Sequence, residues 1–163
     1  MVTIVTIYFV TNNPMAKLEL EAFLPYRLNR IAAAISQDFR AVYGPHHDLT
    51  IPEWRVLATL GQFEAMSAKD IGRHSAMHKT KVSRAVQALE ERRWLRRRAS
   101  EEDRREEILT LTAQGQKAYR QIVPKALAFE RQILDQLGPE AKPLLEGLTR
   151  LEEIAARAKD EQS

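Results

Sequence analysis

The 163-residue chain contains no cysteine. That absence excludes a disulfide framework, cysteine-ligated zinc, a thiol nucleophile and a thiol-oxidation switch, and it makes the cytoplasm the expected compartment. Long hydrophobic runs are also missing. The one uniformly apolar stretch, Val2 to Val10, is half the roughly 20 residues that span a bilayer. It has no basic residue before it and no small-residue cleavage site after it, which makes a poor signal peptide. Residues 1–15 therefore read as an N-terminal extension: a β-prone segment, an extra strand against a partner, or the product of an early start codon with Met15 the alternative. No membrane partner is expected. A large charge of one sign is lacking too, because 25 Lys and Arg against 22 Asp and Glu leave only +3. There is no internal repeat, nucleophile elbow, phosphate loop or dinucleotide fingerprint.

What is present is enough apolar residue, 44%, to build one domain or two small fused ones. From residue 18 to 43, Leu24, Leu28, Ile31, Ile35, Phe39 and Val42 recur at helical steps, and Tyr43-Gly44-Pro45 reads as the stop. Thr50-Ile51-Pro52-Glu53 combines a Thr cap, an early Pro and a Glu three residues on, so a second helix is expected to about Leu60, closed by Gly61. Ser67 and Asp70 open a short third helix through about His74. A fourth spans about 78–92 on the stripe Val82, Val86 and Leu89. Three short helices in about 45 residues form a helix-turn-helix arrangement. Two short β-compatible runs, 94–99 and 106–111, flank a charged tip at 100–105 and predict a two-stranded wing. Thr112 then caps a fifth helix, expected to bend near Pro124, and Gly138-Pro139 separates it from a sixth.

The fold class is thus mainly α: a winged helix-turn-helix with a two-stranded β wing, plus N- and C-terminal helices forming a dimerisation layer. The boundaries are 16–49 for the first dimerisation helix, 50–111 for the DNA-binding lobe, 112–159 for the remaining dimerisation helices and 160–163 for a tail. The end helices carry more apolar surface than the winged module covers, so a two-fold homodimer is expected.

Charge is unevenly spread. Lys69 to Arg98 holds ten basic residues against three acids, a surplus of seven, leaving the other 133 residues at net −4. A basic helix-turn-helix on an acidic body is an electrostatic footprint for phosphate. On the fourth helix His78, Lys79, Thr80, Lys81, Ser83, Arg84 and Gln87 lie off the apolar stripe, with types that reach base edges and phosphates from a major groove. A solvated surface face is the bland alternative.

The run Lys81 to Gly115 resembles the MarR family of bacterial winged-helix transcriptional regulators. The resemblance rests on Ser83-Arg84, Leu89-Glu90, Arg96-Arg97, Asp103-x-Arg105 and Leu111-Thr112-x-x-Gly115, and extends more loosely over 18–159, including Pro52 to Leu57. It implies a dimer on a pseudo-palindromic double-stranded DNA operator, with Arg97, Asp103, Arg104 and Arg105 serving the wing and Arg105 entering a minor groove. One departure is Arg93, where the family commonly has glycine; a left-handed backbone there is strained for arginine, or the helix ends differently.

The resemblance further implies repression released by a small-molecule effector such as an aromatic acid or its CoA thioester. Candidate effector groups are Tyr26, Arg27, Arg30, His46, Trp54 and Arg55, through arginine–anion pairing and aromatic stacking. Core packing is the competing reading for Trp54, and salt bridges to acids such as Glu53 or Glu153 for the arginines. No cofactor, metal or catalytic residue is expected. The acids around the wing tip explain themselves as a solvated turn, so the chain reads as a non-enzyme. A zinc-responsive regulator using the four histidines, or a protein-interaction module on the same fold, are the alternatives.

Overall fold

The computed structural model describes residues 17–99 and 107–160. The apolar N-terminal run and the wing-tip residues Asp103, Arg104 and Arg105 lie outside the described residues. In chain order the elements are α1 (Leu24–His47), α2 (Ile51–Phe63), β1 (Ala65–Ser67), α3 (Ala68–His74), α4 (Lys79–Glu91), β2 (Leu95–Ala99), β3 (Glu107–Leu111), α5 (Ala113–Leu137) and α6 (Ala141–Asp160). A 3-10 turn at Gly138–Glu140 joins the last two. The chain divides into two compact units, the first ending at Ser36 within α1 and the second beginning at Gln37.

In the first unit the anticipated apolar stripe of α1 is real but open to solvent: Leu24, Leu28, Ile31 and Ile35 are 37% to 50% exposed. The helix begins later than its periodicity predicts and also ends later, in the second unit, with Pro45 inside the last turn. A proline so near the end forfeits only one backbone bond, and the turn closes at Asp48, whose amide donates to the Gly44 carbonyl at 2.7 Å. Arg92, 44 residues on, then donates to the carbonyls of His47 and Asp48 at 3.0 and 2.6 Å. That long-range cap satisfies orphaned carbonyls.

The second unit is organised around α2, α4 and the sheet. The Thr50 capping box forms as its spacing demands: Thr50 Oγ1 accepts from the Glu53 amide and Glu53 Oε2 accepts from the Thr50 amide. The helix does not stop at Gly61 but continues to Phe63. Gly61 instead makes room for α5, since a Cβ there would lie 2.6 Å from the Tyr119 ring. Ser67 caps α3 by accepting from the Asp70 amide.

The wing is part of a three-stranded antiparallel sheet ordered β1-β3-β2. Strand β1 was not foreseen; it has three residues and pairs Ala65 with Thr110, 45 positions away. In β2 and β3, Leu95 opposes Leu111 and Arg97 opposes Leu109, and all three leucines are buried beside Val82, Val86 and Leu89 of α4. Each such leucine contributes roughly 1.5–3 kcal/mol, which holds α4 firmly against the wing.

The turn from α4 into β2 takes the strained alternative. Arg93 adopts φ 59°, its amide donating to Glu90 and the Trp94 amide to Leu89. The Thr112-x-x-Gly115 motif locks onto this turn: the Thr112 amide donates to the Trp94 carbonyl at 3.0 Å and its hydroxyl to the Arg93 carbonyl at 2.7 Å. The same hydroxyl accepts from the Gly115 amide. A Cβ on Gly115 would overlap the Trp94 carbonyl oxygen. Gly115→Ala is therefore expected to destabilise the chain by about 1–3 kcal/mol, read as a lower midpoint in urea unfolding; an unchanged midpoint would show that this contact does not constrain the fold.

Candidate nucleic-acid interface

Helix α4 is anchored on one side and bare on the other. Val82, Ala85, Val86 and Leu89 are buried, whereas Lys79, Thr80, Lys81, Ser83, Arg84 and Gln87 are exposed along one continuous face. His78 is the N-cap, its Nδ1 accepting from the Thr80 amide, so it helps start the helix as well as flanking its exposed end. Gln87 donates to Glu91 across one turn at 3.0 Å.

Spatial pairing divides the ten cations of the basic segment. Arg73 pairs with Asp70 at 2.7 Å. Arg92 is spent on the α1 terminus and lies 5.7 Å from the Trp94 ring centroid. Arg97, which the family resemblance assigns to the wing, points to the α4 side of the sheet. Its Nε and Nη2 reach the Glu90 carboxylate at 2.9 Å, and its Nη1 reaches Glu107 at 2.7 Å. Hydrogen bonding to Glu90, then to Glu107, raises the guanidinium pKa further above its ordinary value, so its charge is answered within the fold. Lys69, Lys79, Lys81 and Arg84 meet no carboxylate among the described residues, and three of these four stand on the exposed face of α4.

The effector candidates fall in both units. In the first, the Arg30 guanidinium lies 5.7 Å from the Tyr26 ring centroid, and Arg27 is exposed. In the second, Trp54 is half-buried in an aromatic cluster: Phe39 and Tyr43 lie 5.5 Å from it, and Phe129 is 5.2 Å from Phe39. Phe39 and Phe129 escaped selection because each reads simply as part of a helix's apolar stripe, and Tyr43 because it reads as the first residue of the Gly-Pro stop. Tyr43 is fully buried, and its hydroxyl is the one buried side-chain polar atom without a partner among the described residues. Burial raises its pKa to about 12, against the pull of Arg40 and Arg55 and with a further push from Glu53. Arg55 is half-buried on α2, while His46 is exposed. Its neighbour His47 has a pKa lowered by burial first, then by Lys125 and His46. Glu53 serves the capping box. The remaining histidine of the α3 end, His74, stacks edge-on against Phe63 at 4.8 Å. No group of three His, Asp or Glu able to hold a metal occurs among the described residues.

A helix anchored beside a wing with its cationic face outward defines a winged helix-turn-helix DNA-binding protein. A family model described as MarR family matches residues 47–106. The uncharacterized HTH-type transcriptional regulator YwoH of Bacillus subtilis (strain 168) is 30% identical over 128 residues, covering 78% of this chain and 92% of that protein. The chain belongs to the MarR family of transcriptional regulators. Among solved structures, transcriptional regulator PA4135 superposes with a TM-score of 0.73 at 24% identity, over 81% of this chain and 97% of its own. NadR, solved in complex with 4-hydroxyphenylacetate, gives 0.71 at 24% identity, over 86% and 98%. At that identity they testify to the fold alone. Among the described residues no helix is long and apolar enough to cross a membrane.

The Arg97 clamp makes a discriminating prediction. If Arg97 orients the wing rather than touching DNA, Glu90→Ala weakens DNA binding; a direct phosphate contact predicts tighter binding once the carboxylate is gone. The expected result is weaker binding, with a Glu90–Arg97 coupling of about 0.5–1 kcal/mol in a double-mutant unfolding cycle.

Proposed function

We propose that this chain is a sequence-specific, double-stranded-DNA-binding repressor acting as a homodimer in the cytoplasm and released by a small aromatic acid or its CoA thioester. The observation that carries the reading is the exposed face of α4, where Lys79, Lys81 and Arg84 meet no carboxylate among the described residues and stand beside Thr80, Ser83 and Gln87. A helix of that composition, held rigid from behind, enters a major groove: the arginine forks a guanine edge, Ser and Gln read neighbouring bases, and the lysines neutralise phosphates. His78 would face the DNA at the helix start, and Arg104 and Arg105 would extend contact through the wing tip, with Asp103 positioning them.

Dimerisation rests on apolar surface. On α6, Leu144, Leu145, Leu148 and Ile154 are 38% to 62% exposed, and Leu127 of α5 is 53% exposed. In the first unit the α1 stripe is exposed as well, and large apolar side chains left open in this number mark a surface that a partner covers. Residues 16–49 and 112–159 are accordingly assigned to the dimer layer and 50–111 to DNA. Leu148→Glu is expected to convert the dimer to monomer in sedimentation equilibrium while preserving the far-ultraviolet circular dichroism of the helices. A dimer that survives it would move the interface off α6.

The effector reading is supported by the buried Tyr43 hydroxyl. An unpartnered buried donor is costly, about 1–3 kcal/mol, and it sits with Trp54 in an aromatic cluster near Arg40 and Arg55. A planar carboxylic acid offers a ring to that cluster and an anion to the arginines. The solved NadR complex with 4-hydroxyphenylacetate shows such a compound bound to a protein of this fold. Ligand must favour a state whose recognition helices are wrongly spaced, because only differential affinity shifts the population.

One titration tests the whole. A labelled fragment of the chain's own upstream DNA is expected to bind with half-sites about 34–36 Å apart. Affinity should fall roughly 10³-fold between 50 and 200 mM salt, and Arg84→Ala should weaken it at least about tenfold. Aromatic acids added to the complex should release it. Equal affinity for random duplex would sink the repressor, and release by none of the acids or their CoA esters would remove the effector.

A further inference from the structure

On the sheet face opposite the core lies a concavity of about 600 Å³, bounded by the end of α2, by β2 and β3, and by the first turns of α5. We propose that it is a binding site for a compact multivalent anion, either a phosphate ester or a polycarboxylate. It shares no lining residue with the exposed face of α4 or with the aromatic cluster around Trp54.

Strand geometry builds the site. The pleat sends Leu95 into the core and Arg96 and Arg98 to the opposite face, where Arg96 opposes Thr110 of β3. Arg120 of α5 completes the wall, giving three guanidinium groups, and among the described lining residues the only acid is Glu64. Arg96 spends its Nε on the Thr110 hydroxyl at 3.2 Å, leaving both terminal amino groups to donate elsewhere. Arg120 has no hydrogen-bond or ion-pair partner among the described residues.

Convergence of like charges lowers no folding free energy. Arg96 and Arg120 are a ready receptor for an anion, because each guanidinium presents a planar fork matched to phosphate or carboxylate oxygens. The volume exceeds what one inorganic phosphate fills and falls in the range of small-molecule sites. The Tyr119 ring supplies an apolar wall, and Gly61 is what allows that ring to lie there. The cavity therefore suits an anion with an organic body.

The test is isothermal titration of the full chain with pyrophosphate and, separately, with citrate. One probe is expected to saturate at one per chain, more weakly as salt rises. Arg120→Gln should weaken that binding roughly tenfold, and Glu64→Gln, which removes the one carboxylate among the described lining residues, should tighten it. Saturation by pyrophosphate alone assigns a phosphate ester, and by citrate alone a polycarboxylate. Thermal melts of the free variants report whether each is folded. The proposal is overturned if neither probe saturates at millimolar concentration, or if both variants bind like the parent. It is equally overturned if Arg120→Gln leaves the anions unaffected and instead weakens operator binding, since these arginines would then serve the DNA backbone. Operator binding by Arg120→Gln without ligand is expected to equal the parent's, so this site and the DNA reading fail independently.

Discussion

Everything that presents α4 depends on the knot where that helix ends. Within three residues, Arg92 caps the end of α1, Arg93 turns through a left-handed backbone and Trp94 lends its carbonyl to Thr112. Through the Thr112 hydroxyl and the bare Gly115, the start of α5 closes on the same turn. Four elements thus meet at one point: the end of α1, the end of α4, the base of the wing and the first turn of α5. A left-handed arginine costs roughly 1 kcal/mol relative to glycine, and the hydrogen bonds converging there offset it. For a regulator the consequence is one of connection: the end of α1 and the start of α5 are both hydrogen-bonded to the turn that ends α4.

The caps were legible in the sequence, since capping is local chemistry. Thr50 with Glu53, Ser67 with Asp70 and Thr112 with Gly115 each satisfy backbone donors within three residues, and all three form. The stripe of α4 was legible for the same reason: its period places Val82, Val86 and Leu89 on one side whatever they pack against. Features depending on distant partners were not. Strand β1 exists because β3 offers it an edge, and three residues carry no period of their own. Gly44-Pro45 and Gly61 each look like helix terminators, yet one pair is absorbed in a last turn capped by Arg92, and the other glycine is reserved for the Tyr119 ring.

The candidate site shows the same division. Residue types facing outward on α4 could be read directly from the helical period. The aromatic cluster could not, because Phe39 and Phe129 are indistinguishable in sequence from other apolar positions of their helices, and Tyr43 from part of a helix stop, until Trp54 is placed among them. The unpartnered Tyr43 hydroxyl is a property of packing alone. Nor does the sequence tell which cations are already answered: Arg73, Arg92 and Arg97 count toward the surplus of seven, yet each has an acid within 4 Å.

Strand β2 shows why a linear charge count misleads. Arg96, Arg97 and Arg98 read as one basic patch, but a pleated strand turns consecutive side chains to opposite faces. Arg97 therefore meets Glu90 and Glu107 on the α4 side, while Arg96 and Arg98 face the concavity with Arg120. The middle charge is consumed in joining the helix to the wing and adds little to the field seen by a phosphate. The outer two stand on a surface turned away from α4. A tripeptide that suggests one electrostatic role thus divides into a joint and part of a receptor, and only the period-two geometry of the strand separates them.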